Sequence, residues 1–181
     1  MIWRGRQKIL VTMSIACALG LFSSANSVKA QVYIGLRGGT SLDDCAGYFR
    51  QTEVFSGIDL PWQWEPGFNW SLTPRIEASA GWLSGGSKDG FIGTLGPAME
   101  LRKGRFPLTL EGGASPTFIS RYKYGEKDFG GRFQFTDHIG LNLYVSEHLV
   151  IGLRFQHMSN AGIYRGNPGV NIEGLTTSYS F

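Results

Sequence analysis

The fold class the sequence predicts is all-β: an eight-stranded antiparallel transmembrane barrel. Three observations carry that expectation. Apolar and polar residues alternate with a period of two through eight segments, the pattern of strands with two different faces. The connections between the segments are short and long in turn, as in barrels whose turns are short on the periplasmic side and longer outside. After residue 30 no stretch is apolar for long enough to cross a bilayer as a helix. An even strand number allows the sheet to close, which removes the edges that lipid cannot satisfy.

The elements follow in order. Val32, Ile34 and Leu36 alternate with Tyr33, Gly35 and Arg37 to give the first strand, and a loop with Asp43, Asp44, Cys45 and Gly47 follows. Val54, Ile58, Leu60, Trp62 and Trp64 mark one face of the second strand, which ends at a Glu65-Pro66-Gly67 turn. The third runs from Phe68 to Trp82, with Arg75, Glu77 and Ser79 on its polar face, and Gly85 to Gly90 reads as a loop. Phe91, Leu95, Met99 and Leu101 face one way on strand four. After a Lys103-Gly104-Arg105 turn, strand five presents Phe106, Leu108, Leu110, Ala114 and Phe118. A charged loop spans Arg121 to Gly130. Strand six carries Phe133, Phe135, Ile139, Leu141, Leu143 and Val145 against Arg132, Gln134, His138 and Asn142. Ser146-Glu147 turns into strand seven, and a loop with Gly166-Asn167-Pro168-Gly169 leads to strand eight, which ends at Phe181.

A soluble lipocalin-type barrel would turn the apolar faces inward, and alternation alone does not distinguish the two. The membrane form is favoured by charges that recur on the polar faces, where a small barrel pairs them inside. It is also favoured by Trp62, Trp64, Trp70 and Trp82 near strand ends and by the aromatic C-terminus.

The N-terminus has the three parts of a secretory signal. Arg4, Arg6 and Lys8 precede an apolar run from Ile9 to Phe22, and Val28-Lys29-Ala30 supplies a cleavage site after Ala30. The expected organisation is a signal peptide over 1–30 and one barrel domain over 31–181. The formal charge of +3 resides mostly in the signal, since removing it leaves 13 basic and 14 acidic residues. That balance gives no footing for nucleic acid. Cys45 is the only cysteine of the mature part, so no intramolecular disulfide forms there.

Strand seven holds the candidate chemistry. Ile151, Leu153 and Phe155 define its apolar, outward face, and His157 and Ser159 continue that same face. Two residues apart, a histidine and a serine point the same way and can serve as base and nucleophile. The short turns place the strand's start at the periplasm, so the pair lies at the outer end, facing lipid. In the outer membrane that leaflet is lipopolysaccharide, and acyl esters lie at that depth. A hairpin centred on Arg165 would set Glu173 opposite His157, with Cβ atoms roughly 4.5–5.5 Å apart, where a carboxylate could orient the imidazole. Asn160, with the backbone N–H groups of Ala161 and Gly162, could stabilise an oxyanion, or it forms the turn at the strand exit. His138 and His148 are scattered and form no metal cluster with His157, and no cofactor or metal is expected. Arg121, Lys123 and Lys127 form a solvated loop, or touch lipid phosphates.

The segment His157-Met158-Ser159-Asn160-Ala161-Gly162 resembles the signature of the outer-membrane lipid A 3-O-deacylases, the PagL-type family. The resemblance is close over the last thirty or so residues and elsewhere extends to strand pattern and size. It implies Ser159 as nucleophile, His157 as base, Glu173 as the acid of a triad and Asn160 in the oxyanion hole. It also implies hydrolysis of the 3-O-linked ester of lipid A with release of a 3-hydroxy fatty acid. Partners on this reading are lipopolysaccharide, the outer leaflet and, left open, a second copy of the chain. The alternative is a non-catalytic small barrel with a structural or adhesive role, which has no use for His157 and Ser159 on the lipid face. An acyltransferase using the same nucleophile is a third possibility.

Overall fold

The computed structural model describes residues 25–27, 30–41 and 48–181, with the backbone alone for 25–27. Most of the expected signal peptide and Cys45 lie outside the described residues. Eight long strands form the barrel: β1 (Val32–Ser41), β2 (Phe49–Asp59), β3 (Trp70–Gly85), β4 (Lys88–Lys103), β5 (Leu108–Ile119), β6 (Phe133–Tyr144), β7 (Leu149–Ser159) and β8 (Val170–Ser180). Each pairs antiparallel with the next, and β8 pairs with β1 from Ile172↔Ser41 to Ser180↔Tyr33, so the sheet closes. Closure is what the alternation predicted, and it leaves no unpaired edge among these eight strands.

The faces sort as a lipid-embedded barrel requires. Leu36, Leu95, Ile139, Leu153 and Leu175 are large, apolar and exposed on the outside. The inside is charged and paired. Arg37 bonds Glu53 and Glu77, and Arg75 bonds Asp59, Glu100 and Glu111 at 2.8–3.1 Å. Arg154 reaches Glu77, and His138 Nε2 lies 3.3 Å from Glu111. Such networks hold only when every charge has a partner, because removing one leaves a buried charge uncompensated. A soluble lipocalin-type interior would be apolar here.

Two expected boundaries move. The second strand breaks at Leu60-Pro61, where proline has no N–H to give the ladder, and a separate short strand, Trp62–Gly67, turns back onto β3. Phe68 is not a strand residue. It and Asn69 form the turn with positive φ of 53° and 61°, and Phe68 is 93% exposed. Gly85 to Gly90 is not a loop. Gly86 and Ser87, both left-handed at φ 52° and 58°, make a tight two-residue turn, and β3 and β4 pair right up to it. The backbone of Ala25–Ser27 pairs with Trp62–Trp64 outside the closed ring.

The outer mouth is plugged by a second, apolar core. Phe49, Leu83, Ile92, Ile119, Met158 and Ile172 pack there with Tyr124 and Phe129 from the β5–β6 loop. Phe49, Tyr124 and Phe129 meet edge to face with centroids 5.5–6.0 Å apart. The loop that reads as merely charged therefore contributes two rings to the plug. Its tip is a small hairpin, Lys123-Tyr124 against Lys127-Asp128. There the Gly130 N–H, helped by Lys123, holds the exposed Asp128 carboxyl below the usual range.

Candidate active site

Strand alternation positions the pair. Met158 points inward and is rooted in the apolar plug, which sends its neighbours His157 and Ser159 outward, both half-buried. The β7 backbone is thus fixed by a side chain that the chemistry does not use. On one side of it, β6 sets Asp137 opposite His157 and Phe135 opposite Ser159. On the other, β8 sets Asn171 opposite His157.

This last pairing corrects the expected register. The hairpin is centred on Tyr164 rather than Arg165, so Glu173 pairs with Phe155, one step nearer the membrane interior. The loop is not symmetric about Arg165 because Ala161, Gly162 and Gly166 all adopt positive φ and consume chain in turns. The group actually bonded to the imidazole is the Asn171 side chain, whose Oδ1 lies 2.7 Å from His157 Nδ1. Glu173 remains on the outward face and is exposed.

The ring's other edge rests on the chain itself. A Cβ added to Gly169 would lie 2.3 Å from His157 Cε1 and 2.8 Å from Nε2, so any side chain there would displace the imidazole from where it lies. The Gly169 carbonyl in turn accepts from Lys127 Nζ at 2.7 Å. Lys127 is therefore spent inside the protein. Lys123 pairs with Asp128 at 3.1 Å, and Arg121 donates to the Asp89 carbonyl at 3.0 Å. All three cations of this loop have partners in the chain. Among the described residues neither Ser159 Oγ nor His157 Nε2 has a hydrogen-bond partner. Both are free for a substrate, and a catalytic hydrogen bond of this kind commonly tightens only in the complex.

Asn160, 1% exposed, organises the turn after Ser159. Its N–H donates to Asn167 Oδ1 at 2.9 Å, and its amide nitrogen donates to the carbonyls of Phe129 (3.0 Å) and Gly166 (2.8 Å). Its Oδ1 accepts the Gly162 N–H at 2.8 Å, and its carbonyl the Ile163 N–H at 3.0 Å. The amide of Asn160 and the N–H of Gly162, both expected to face an oxyanion, are thus committed to the turn. The N–H of Ala161, a residue held at φ 50°, is left without a partner among the described residues.

The sequence gives no sign that Asp137, Asn171 or Gly169 stands beside His157, and Lys127 reads there as a solvated or phosphate-touching cation. Asp137 does interrupt the apolar face of β6, as His157 interrupts that of β7. Below the pair, an apolar furrow of about 520 Å³ runs along the outside of β5–β8, lined by Leu110, Ile139, Leu141, Leu153, Phe155 and Leu175.

A closed barrel with an apolar outer belt and a paired charged interior defines a β-barrel of the outer membrane, and this one carries Ser159 and His157 on the same outward face. The family model of the lipid A 3-O-deacylases (PagL) matches residues 51–180, and the chain belongs to that family. It is 36% identical to the lipid A deacylase PagL of Bordetella bronchiseptica, over 95% of this chain and 93% of that protein. With the lipid A deacylase PagL of Pseudomonas aeruginosa it shares 23% identity over 93% of this chain and 96% of the other. The crystal structure of the outer membrane enzyme PagL superposes with a TM-score of 0.67 at 20% identity, covering 81% of this chain and 97% of that one, which speaks for the fold.

Proposed function

We propose that the chain is a lipid A 3-O-deacylase that works as a serine hydrolase from the outside of its barrel. The observation that carries the reading is the outward placement of Ser159 and His157 at the outer end of β7, in a chain of this family. Polar groups on a lipid face cost little only near the interface, about 0–1 kcal/mol against roughly 2–4 for a cation at the midplane. The depth they tolerate is the depth of acyl esters. The furrow beneath them suits an acyl chain, which would lie along β6–β8 with its ester carbonyl at Ser159.

In the reaction Ser159 Oγ attacks the ester carbonyl carbon while His157 Nε2 takes the hydroxyl proton. A C–O bond forms and the carbonyl oxygen becomes an oxyanion. The Ala161 N–H, held in place by Asn160 and Gly162, is the donor offered to that oxyanion. The intermediate collapses, the bond to the sugar oxygen breaks, and imidazolium returns the proton to the leaving hydroxyl. Water, activated by the same imidazole, then releases the 3-hydroxy fatty acid and frees Ser159. Asp137 faces His157 from β6, and Glu173 stands opposite Phe155 on β8. The purified, folded protein should release one 3-hydroxy fatty acid per lipid A in detergent. Transfer of that acyl group to an added acceptor lipid in place of release would make the protein an acyltransferase.

Maturation by cleavage after Ala30 would remove the strand Ala25–Ser27, which stands outside the closed ring. It would keep Gln31, whose carbonyl accepts the Asp59 N–H at 2.8 Å. N-terminal sequencing of outer-membrane material should therefore begin at Gln31; a start at or before Ala25 would contradict the cleavage.

A further inference from the structure

We infer that Asn171, a neutral amide, is the residue that positions His157, in the place where a hydrolase of this kind would use a carboxylate. The inference rests on the Ser159–His157 reading above. Asn171 is the cross-strand partner of His157, and its Oδ1 lies 2.7 Å from Nδ1. An amide oxygen only accepts, so Nδ1 is the nitrogen that carries the proton. That leaves the lone pair on Nε2, the tautomer a base beside Ser159 needs. Gly169, two residues before Asn171 on the same chain segment, closes over Cε1 and Nε2. The imidazole is thus bonded at Nδ1 and closely approached at Cε1 by one short stretch of β8 and its lead-in loop, with Nε2 left unbonded, and Lys127 holds that loop by the Gly169 carbonyl.

The carboxylates are close but differently placed. Asp137 faces His157 from β6, and Glu173 stands two residues along β8, paired with Phe155. On β7 the outward neighbours of His157 are Phe155 and Ser159, which carry no charge, and in the β7–β8 loop Arg165 is exposed. Among the described residues neither Asp137 nor Glu173 hydrogen-bonds the ring. The work of a triad acid is then divided: Asn171 sets tautomer and orientation, and the negative charge that an acid would bring to Nδ1 is not supplied there.

The division is tested by pH–rate profiles of kcat/KM on lipid A in detergent, with folding of each variant checked by heat-modifiable migration. Asn171→Leu keeps the bulk and removes the acceptor, so kcat should fall on the order of 10²-fold or more with KM little changed. Asn171→Asp should stay active, and its acidic limb should move to higher pH by roughly 1 unit or more, since a carboxylate at Nδ1 favours the imidazolium. Glu173→Gln should stay within a few-fold of wild type. Wild-type kinetics for Asn171→Leu, an unmoved limb for Asn171→Asp, or a loss for Glu173→Gln as deep as that for Asn171→Leu would each overturn the inference. If Asn171→Leu does not fold, the limb of Asn171→Asp decides alone. A failure confined to these variants leaves the hydrolase standing provided Ser159→Ala is inactive; an active Ser159→Ala removes both.

Discussion

Ser159→Ala and His157→Ala should each lower the deacylation rate by on the order of 10⁴–10⁶, with the double variant little worse than either. Residues that act as a unit lose the whole effect when one is gone. On the proposed mechanism Oγ forms the bond to the acyl carbon and Nε2 moves its proton, two roles that no methyl group can take over. Asp137 can accept a proton, but it lies across from His157 on β6 and not beside Ser159. Folding should survive, because both side chains point out of the barrel and the plug is held by Met158 between them. Rates on purified lipid A beside heat-modifiable migration check both halves. Folded Ser159→Ala at wild-type rate would remove the nucleophile and the mechanism with it.

Gly169→Ala should also have a large effect, although it changes no chemical group. The added methyl would stand 2.3 Å from His157 Cε1, with the Met158 carbonyl at 3.3 Å behind it. The ring can yield more easily than the backbone, so the imidazole moves while the barrel stays closed. A displacement near 1 Å at a reacting group costs about 10²-fold. We expect a loss of that order in kcat with an unchanged unfolding temperature in detergent. Full activity would mean that the loop shifts in place of the ring, and that Gly169 does not hold the base.

Most of the fold was legible because a barrel writes itself into period two. Eight alternating segments, their lipid-facing residues and the charged interior all follow from that pattern. His157 and Ser159 were legible for the same reason, as polar residues on a face that should be apolar. What was not legible depends on turn geometry. The β7–β8 register hinges on how many residues the left-handed positions Ala161, Gly162 and Gly166 take up. A shift of the centre from Arg165 to Tyr164 exchanges Glu173 for Asn171 opposite the histidine. Glu173 attracts attention in a sequence because it is an acid; Asn171 becomes visible only once the pairs are known. The β3–β4 connection failed in a related way, since Gly85–Gly90 has loop composition yet needs only Gly86 and Ser87 to turn. Tyr124 and Phe129 sit among charges, and no local pattern says that they fold into the mouth. Asn160 reads by type either as an oxyanion donor or as a turn former, and the bonds its side chain makes lie within the turn and to the Phe129 carbonyl.

The measurement that bears most directly on the central claim is a mass spectrum of lipid A from cells that make the wild-type protein, beside cells that make Ser159→Ala at equal, folded amounts in the outer membrane. Wild-type cells should lose the mass of one 3-hydroxyacyl chain from the 3-position, and the Ser159→Ala cells should keep it. An unchanged spectrum with folded wild-type protein present, or the same loss in both, would contradict it.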